Sequence, residues 1–291
     1  MPRQQILGHE FSGTVVEAGS ELKEYREGDR VAIQPLVAPG DDYYSVRGLA
    51  HLSEPSSFVG IRNWAWGGMG EYAVLNDYNV FKLPDSVSDE QGALVEPAAV
   101  TLYAVDNSGL QAGNTVLISG AGTIGALTVL SVNAAGASQI FVAEPNPARR
   151  KFIESWGYVL GCSTPLPRMC PRERTTVGVD VAIECAGTEN SLAARLRSVR
   201  RQGTVVQVGL ATAACNVDLQ LLVLKDVTLR GSFAYPIYSW PRVIGLIAAR
   251  KLPVEKTISS RVSLDAAVPD GFEVLTAPGT DRLKILIQPA A

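Results

Sequence analysis

Histidine is the scarcest chemically active residue in this 291-residue chain, which holds two, His9 and His51. Any chemistry that needs an imidazole rests on them. The four cysteines, Cys162, Cys170, Cys185 and Cys215, all fall in the second half and show no C-x-x-C spacing. That pattern indicates neither a disulfide framework nor a knuckle-type zinc site, and the thiols read most simply as buried small apolar residues or spectators. No run approaches the roughly 18 apolar residues of a membrane-spanning helix, and the start lacks a charged region followed by an apolar signal core. A cytoplasmic protein is expected. The net charge is a slight −3, and acidic and basic residues are interspersed, so nucleic acid and anionic membrane find little to hold. A small molecule is the expected partner.

What is present is apolar material, 46% of the residues, enough for a sizeable core in two domains or one large one. From Thr14 to Leu83 short β-rich runs, "TVVEAGS", "DRVAIQPL", "GEYAVL" and "NVFKLP", are broken by turn residues, the texture of a small barrel or sandwich. From Asn114 strands and helices alternate. "NTVLISGAG" leads to a helix from Ile124 to Ala135, "QIFVAE" to a helix from Pro147 to Trp156, and "VDVAIECAG" to a helix near Ser191 to Val199. "GTVVQVGL" and "VTLRGSF" follow. Apolar strands alternating with helices predict a parallel sheet covered on both faces. An irregular loop is expected between Gly157 and Val177, where three prolines break the rhythm. A helix, "VIGLIAARKL", and a last strand, "LKILIQP", close the chain.

Gly120, Gly122 and Gly125 form a G-x-G-x-x-G around Ala121, Thr123 and Ile124, after an apolar strand and at the opening of a helix. In that context the first glycine permits a tight turn, the second lets backbone approach a pyrophosphate, and the third lets helix pack on strand. The helix N-terminus offers free N–H groups to the phosphates. Glu144 ends the next strand 19 residues after Gly125, where a carboxylate can accept hydrogen bonds from the adenosine ribose. A carboxylate there repels a 2′-phosphate, so NAD is expected over NADP. Arg149 and Arg150 act in the other direction, since a nearby arginine can bind that phosphate.

"GHEFSGTVVEAGS", "GDRVAIQP", "GGMGEYAVL", "KLPDSVSDEQGALVEPAAVTLYAV", "GAGTIG", "DVAIECAG" and "LRGSF" follow one another in an order and spacing that resembles the zinc-dependent medium-chain alcohol dehydrogenases, most closely their polyol and butanediol branch. The resemblance runs over nearly the whole chain. It implies an α/β protein: a doubly wound Rossmann sheet inserted in a GroES-like β-rich catalytic domain that lacks its N-terminal part. The expected divisions are 1–97 for the catalytic domain, 98–240 for the NAD-binding domain and 241–291 for a return to the catalytic domain.

By position, the resemblance carries the family's catalytic zinc onto His9, Glu10 and Glu96, with the carboxylates binding directly or through water. Zinc would acidify a secondary alcohol, diol or polyol, whose carbon gives hydride to the nicotinamide. Cys185, Ala186, Gly187, Val208 and Gly209 would lie along the nicotinamide side. Two departures stand out. The family's cysteine ligand and proton-relay hydroxyl belong to a segment upstream of "GHE", and no cysteine precedes Cys162, so weakened zinc binding is expected. The four cysteines of the family's structural zinc fall on Pro39, Asp42, Ser45 and Ser53, so no structural zinc is expected. Tyr43, Tyr44, His51, Trp64 and Trp66 read as packing or surface residues. Two other readings stay open: a non-catalytic dinucleotide-binding relative, and a zinc-independent NAD(P)H reductase of the same fold. The resemblance also implies a homo-oligomer.

Overall fold

A computed structural model of the chain describes residues 5–54, 56–159, 161–163 and 177–289, the third range by its backbone alone. The chain forms two compact units, Met1–Ala99 with Ala234–Pro278 and Lys284–Ala291, and Val100–Phe233 with Gly279–Leu283.

The first unit is β-rich. Strands β1 (Ser12–Thr14), β2 (Arg30–Ile33) and β5 (Val80–Lys82) pair antiparallel in the order β1-β2-β5, and β3 (Leu36–Val37) pairs with β4 (Ser57–Phe58). Of the expected strands, "GEYAVL" forms none: Tyr72 and Val74 are exposed, and the segment has no ladder partner among the described residues. Its alternation was apolar without a sheet to satisfy it. Helix α1 (Asp89–Ala93) begins with a capping box, Ser88 accepting from the Gln91 N–H while Gln91 accepts from the Ser88 N–H. Helix α2 (Val95–Ser108) follows at once. Pro97 falls in its first turn, where a missing N–H breaks no intrahelical bond.

In the second unit, six strands are recorded among the described residues: β6 (Thr115–Ser119), β7 (Gln139–Ala143), β8 (Gly161–Ser163), β9 (Val179–Glu184), β10 (Val199–Gln207) and β11 (Thr228–Gly231). All pair in parallel, in the order β11-β10-β9-β6-β7-β8. Helices α3 (Thr123–Ala134), α4 (Pro147–Glu154), α5 (Glu189–Ser198) and α6 (Leu219–Lys225) connect them. Side chains alternate between two cores: Val116, Ile118, Ile140, Val142 and Ile183 belong to one, Leu117, Phe141, Ala182 and Val205 to the other. This is the two-sided burial that near-continuous apolar strands imply. The sequence expected an irregular loop from Gly157 to Val177. Within it Gly161–Ser163 is an edge strand on β7, and residues 164–176 lie outside the described residues.

The remaining chain returns to the first unit through α7 (Ser239–Ala248), β12 (Ile258–Ser263) and β13 (Lys284–Gln288), the last two a parallel pair. Among the described residues no helix is long and apolar enough to cross a membrane.

Candidate active site

His9 is placed by backbone contacts rather than by a regular element. The N–H groups of Ile6 and Gly8 donate to the carbonyls of Ala65 and Gly60, while those of Gly68 and Met69 donate to the carbonyls of Gly8 and Leu7. The fit is tight: a Cβ on Gly60, whose φ is +73°, would meet the Gly8 oxygen at 1.9 Å. Phe11 then enters the sheet by accepting from the Ile33 N–H, which fixes Glu10 between two anchored neighbours.

Glu96 comes from the first turn of α2, where a carboxylate is favoured by the helix dipole. One ligand atom from each of His9, Glu10 and Glu96 lies within 4.8 Å of the others, with His9 Nε2 3.8 Å from Glu10 Oε1. Burial, and then the charge of Lys284, lowers the His9 pKa to about 4, so the imidazole is neutral at pH 7 with a lone pair to give. Burial raises the Glu96 pKa to about 7, against the opposing hydrogen bond from Tyr235. Tyr235 Oη donates to Glu96 Oε1 at 2.8 Å. Lys284 Nζ is ion-paired with Glu10 and is itself lowered to about 8 by burial.

Tyr235 and Lys284 escaped the sequence reading because they lie 139 and 274 residues from their partners. Only "AYP" after β11 and "LKILIQP" at the end mark them, and neither carries a local signal.

At the carboxyl end of the parallel sheet, β6 is followed by the glycine turn, with β7 on one side and β9 on the other. This is the point where strand order reverses and ligands of open α/β sheets bind. Gly120 has φ +83°, and a Cβ on Gly125 would meet the Gly120 oxygen at 2.0 Å, so both positions require glycine. Gly122 caps α3 without a side-chain hydrogen bond, leaving the first N–H groups of that helix for a ligand. A Cβ there would come near Arg149 Nη1 alone, at 3.9 Å.

Thr123 donates to the Leu283 carbonyl, tying the helix start down, and Ile124 lies in the same first turn. Glu144 is buried, one oxygen accepting from Ala121 N–H at 2.6 Å and the other from Asn146 N–H at 2.8 Å. A carboxylate has about four lone-pair sites, so this bridge leaves room for ribose hydroxyls. The two arginines separate. Arg150 donates to the carbonyls of Glu144 and Pro145, whereas Arg149 donates through Nη2 to the Arg282 carbonyl and its buried Nε has no partner among the described residues.

Cys185, Ala186 and Gly187 follow β9, and Val208 and Gly209 follow β10. A Cβ on Gly209 would meet Gly187 N at 2.3 Å. Glu184, also missed from sequence, organises this pair of loops by accepting from the N–H groups of Ala186 and Gly187 and from Gln207 Nε2. Beside them Gly187, Thr188, Gln207, Gly209 and Cys215 line a cavity of about 260 Å³. Burial pushes the Cys185 thiol up to about 12, which makes it a packing group rather than a nucleophile.

Comparison with known proteins gives the family to which both units belong. A family profile described as an alcohol dehydrogenase GroES-like domain matches residues 1–85, and one described as a zinc-binding dehydrogenase matches 123–249. The (R,R)-butanediol dehydrogenase of Bacillus subtilis (strain 168) is 34% identical over 285 residues, 97% of this chain and 80% of the relative. The chain belongs to the zinc-binding dehydrogenase family. Sorbitol dehydrogenase of Ovis aries is 33% identical over 98% of the chain and 81% of its own length. Among solved structures, the 2R,3R-butanediol dehydrogenase of B. subtilis superposes with a TM-score of 0.89 at 35% identity, covering 98% of this chain and 80% of that one. A Sinorhizobium meliloti 1021 protein solved with NADP bound also gives 0.89, at 31% identity over 98% and 84% of the two chains.

The donor chemistry of His9, Glu10 and Glu96 fits the family's metal, since imidazole and carboxylate both bind Zn²⁺. The Cβ-free turn and uncapped helix of the second unit fit a dinucleotide phosphate. At the positions onto which the resemblance aligns the structural-zinc cysteines, Asp42, Ser45 and Ser53 form a hydrogen-bonded cluster. Asp42 accepts from Ser45 Oγ at 2.5 Å and Ser53 Oγ at 2.9 Å, and the two hydroxyls lie 3.0 Å apart. These bonds, the Ser45 hydroxyl first, lower the Asp42 pKa to about 2. Pro39 adds no donor side chain. Nearby, His51 is buried in a single turn of 3-10 helix and Tyr43 and Tyr44 are exposed. Trp64 donates to the Val74 carbonyl, and the Trp66 carbonyl accepts from Gly60.

Proposed function

We propose that this chain is an NAD-dependent oxidoreductase that interconverts a secondary alcohol, diol or polyol and its ketone with the help of one zinc ion. The observation that carries the reading is the convergence of His9, Glu10 and Glu96 from two distant segments onto one ion-sized spot. A bound zinc acidifies an alcohol hydroxyl and a bound nicotinamide accepts hydride. His9 contributes a neutral imidazole, and Glu96 a carboxylate steadied by Tyr235. Gly120, Gly122, Thr123, Ile124 and Gly125 hold the pyrophosphate against the start of α3, Glu144 holds the adenosine ribose, and Arg149 adds positive charge beside them. Cys185, Ala186, Gly187, Val208 and Gly209 border the nicotinamide. Glu144 favours NAD over NADP.

Diols and polyols are the substrate class because the relatives named above are butanediol and sorbitol dehydrogenases. A homo-oligomer built along β11 fits the edge position of that strand and its exposed residues, with Leu219, Val223 and Leu224 exposed on α6 in the same unit. Work in the cytoplasm fits the free thiols of Cys185 and Cys215.

The test is metal content with and without added Zn²⁺, next to a His9→Ala control, followed by NADH formation from 2,3-butanediol and sorbitol. About one zinc per chain, lost in the control, together with alcohol-dependent NADH supports the reading. No zinc in either protein sinks it. One observation favours a second reading, the metal-free reductase: Lys284 already neutralises Glu10 without an ion. Enone reduction by the zinc-free protein would establish it.

A further inference from the structure

Tyr235 reaches Glu96 from a part of the chain that lies 139 residues away. The tyrosine is 1% exposed and Glu96 6% exposed, so water takes little part in their hydrogen bond. A phenol has a single hydrogen to donate, and here Glu96 Oε1 receives it at 2.8 Å. The ring is seated by a stack that begins on the β-sheet. Phe81 of β5 lies against Trp240 at 5.3 Å, and Trp240, fully buried, meets the Tyr235 ring edge-on at 5.9 Å. Ala234, immediately before, has φ +46°. A left-handed alanine is strained, and strain of this kind persists where the surroundings hold it in place. Here the strained residue is the one that turns the chain so that the next side chain enters the metal-ligand cluster.

We propose that Tyr235 is a positioning residue for the metal site. By occupying Oε1 it fixes the rotation of the Glu96 carboxylate and leaves the second oxygen as the donor atom toward the ion. This rests on the zinc reading above. Outer partners that orient a metal ligand characteristically change metal affinity by about 10–100-fold when removed, whereas a tyrosine that merely fills the core changes stability and leaves the affinity of the folded protein alone.

The experiment measures Zn²⁺ affinity by chelator competition, and the visible spectrum of the Co²⁺-loaded protein, for wild type, Tyr235→Phe, Glu96→Gln and the double variant. Expected is a ten- to hundred-fold loss in Tyr235→Phe with an altered cobalt spectrum, and no further loss when the tyrosine change is added to Glu96→Gln. Trp240→Phe keeps an aromatic ring but alters the seat of Tyr235, and it should lose affinity in the same direction to a smaller extent. It supplies the answer if Tyr235→Phe does not fold. Wild-type affinity in whichever of these two variants folds overturns the positioning role and leaves the zinc reading standing. A wild-type chain that binds neither metal overturns the zinc reading and this proposal with it, and that failure shows before any variant is made.

Discussion

Lys284 Nζ forms an ion pair with the Glu10 carboxylate inside the cluster of metal-ligating side chains. Lys284 brings a positive charge into the cluster. It also accounts for part of the low His9 pKa, after burial. A divalent cation entering the site must share Glu10 with that ammonium group and approach it through a partly desolvated medium, where charge repulsion is stronger than in water.

Replacing the lysine should therefore strengthen metal binding. Lys284→Met keeps the apolar stem and removes the charge, and Zn²⁺ affinity at neutral pH is expected to rise about ten-fold, about 1.4 kcal/mol. A chelator-competition titration checks it. Unchanged or weaker binding would mean that Lys284 organises Glu10 for the metal instead of competing with it.

The metal-free protein should show an unusual proton balance on unfolding. His9 and His51 are each lowered from 6.5 to about 4, both chiefly by burial. Between about pH 5 and 6.5 the unfolded chain therefore binds protons that the folded chain refuses, so these groups make stability rise with pH. Glu96 acts with the opposite sign. Its pKa is raised from 4.5 to about 7, so it stabilises the fold below its unfolded value and loses that contribution as pH rises through 7. Near pH 5.5 two histidines against one carboxyl leave these groups a net uptake of about one proton on unfolding. Glu96→Gln removes the opposing group and should raise the uptake to about two. The slope of unfolding free energy against pH, from urea titrations with chelator present, measures both numbers.

The parts of this molecule that the sequence disclosed are those whose signals are local. The helix expected at Ile124–Ala135 is found at Thr123–Ala134, because a glycine turn and an unbroken apolar run mark both its start and its buried faces. Glu144 directly follows β7, within reach of the turn, because parallel strands in register bring their carboxyl ends level. His9, Glu10 and Glu96 are legible only through a motif pattern, since nothing near residue 9 points to residue 96. Tyr235 and Lys284 were invisible for the same reason, and no motif compensated. "GEYAVL" shows the reverse error: alternation is evidence for a strand only when a neighbouring strand supplies the ladder.

Gly60 offers a direct test of how His9 is held. Gly60→Ala forces a Cβ to 1.9 Å from the Gly8 oxygen at a φ of +73°, so the Gly8–His9 segment must shift. Gly48 has nearly the same φ, +71°, with nothing within 4 Å of a Cβ. Gly48→Ala should cost only the backbone strain, about 1–2 kcal/mol, and leave zinc affinity unchanged. Gly60→Ala should cost more in unfolding free energy and weaken zinc binding as well. Equal effects of the two substitutions on both readouts would show that the contact between Gly60 and Gly8 does not locate the histidine.

Arg149 and Glu144 should divide the recognition of the dinucleotide between them. The guanidinium borders Gly122, the glycine whose openness would let a pyrophosphate approach, and its buried Nε has no partner among the described residues. The pyrophosphate is common to NAD and NADP. Arg149→Ala should therefore weaken both to a similar degree, by about ten-fold or more, the loss that follows from removing a charged hydrogen bond worth about 1.5–3 kcal/mol. Glu144 bridges Ala121 and Asn146 with both oxygens, and on the proposal that it holds the adenosine ribose its negative charge would repel a 2′-phosphate. Glu144→Gln keeps the shape and weakens the repulsion, so NADP should gain relative to NAD while absolute affinity for NAD falls. Dissociation constants for both dinucleotides in both variants separate these roles. If Arg149→Ala instead weakens NADP alone, its guanidinium serves the 2′-phosphate, and this chain discriminates between the cofactors through the arginine rather than through the carboxylate.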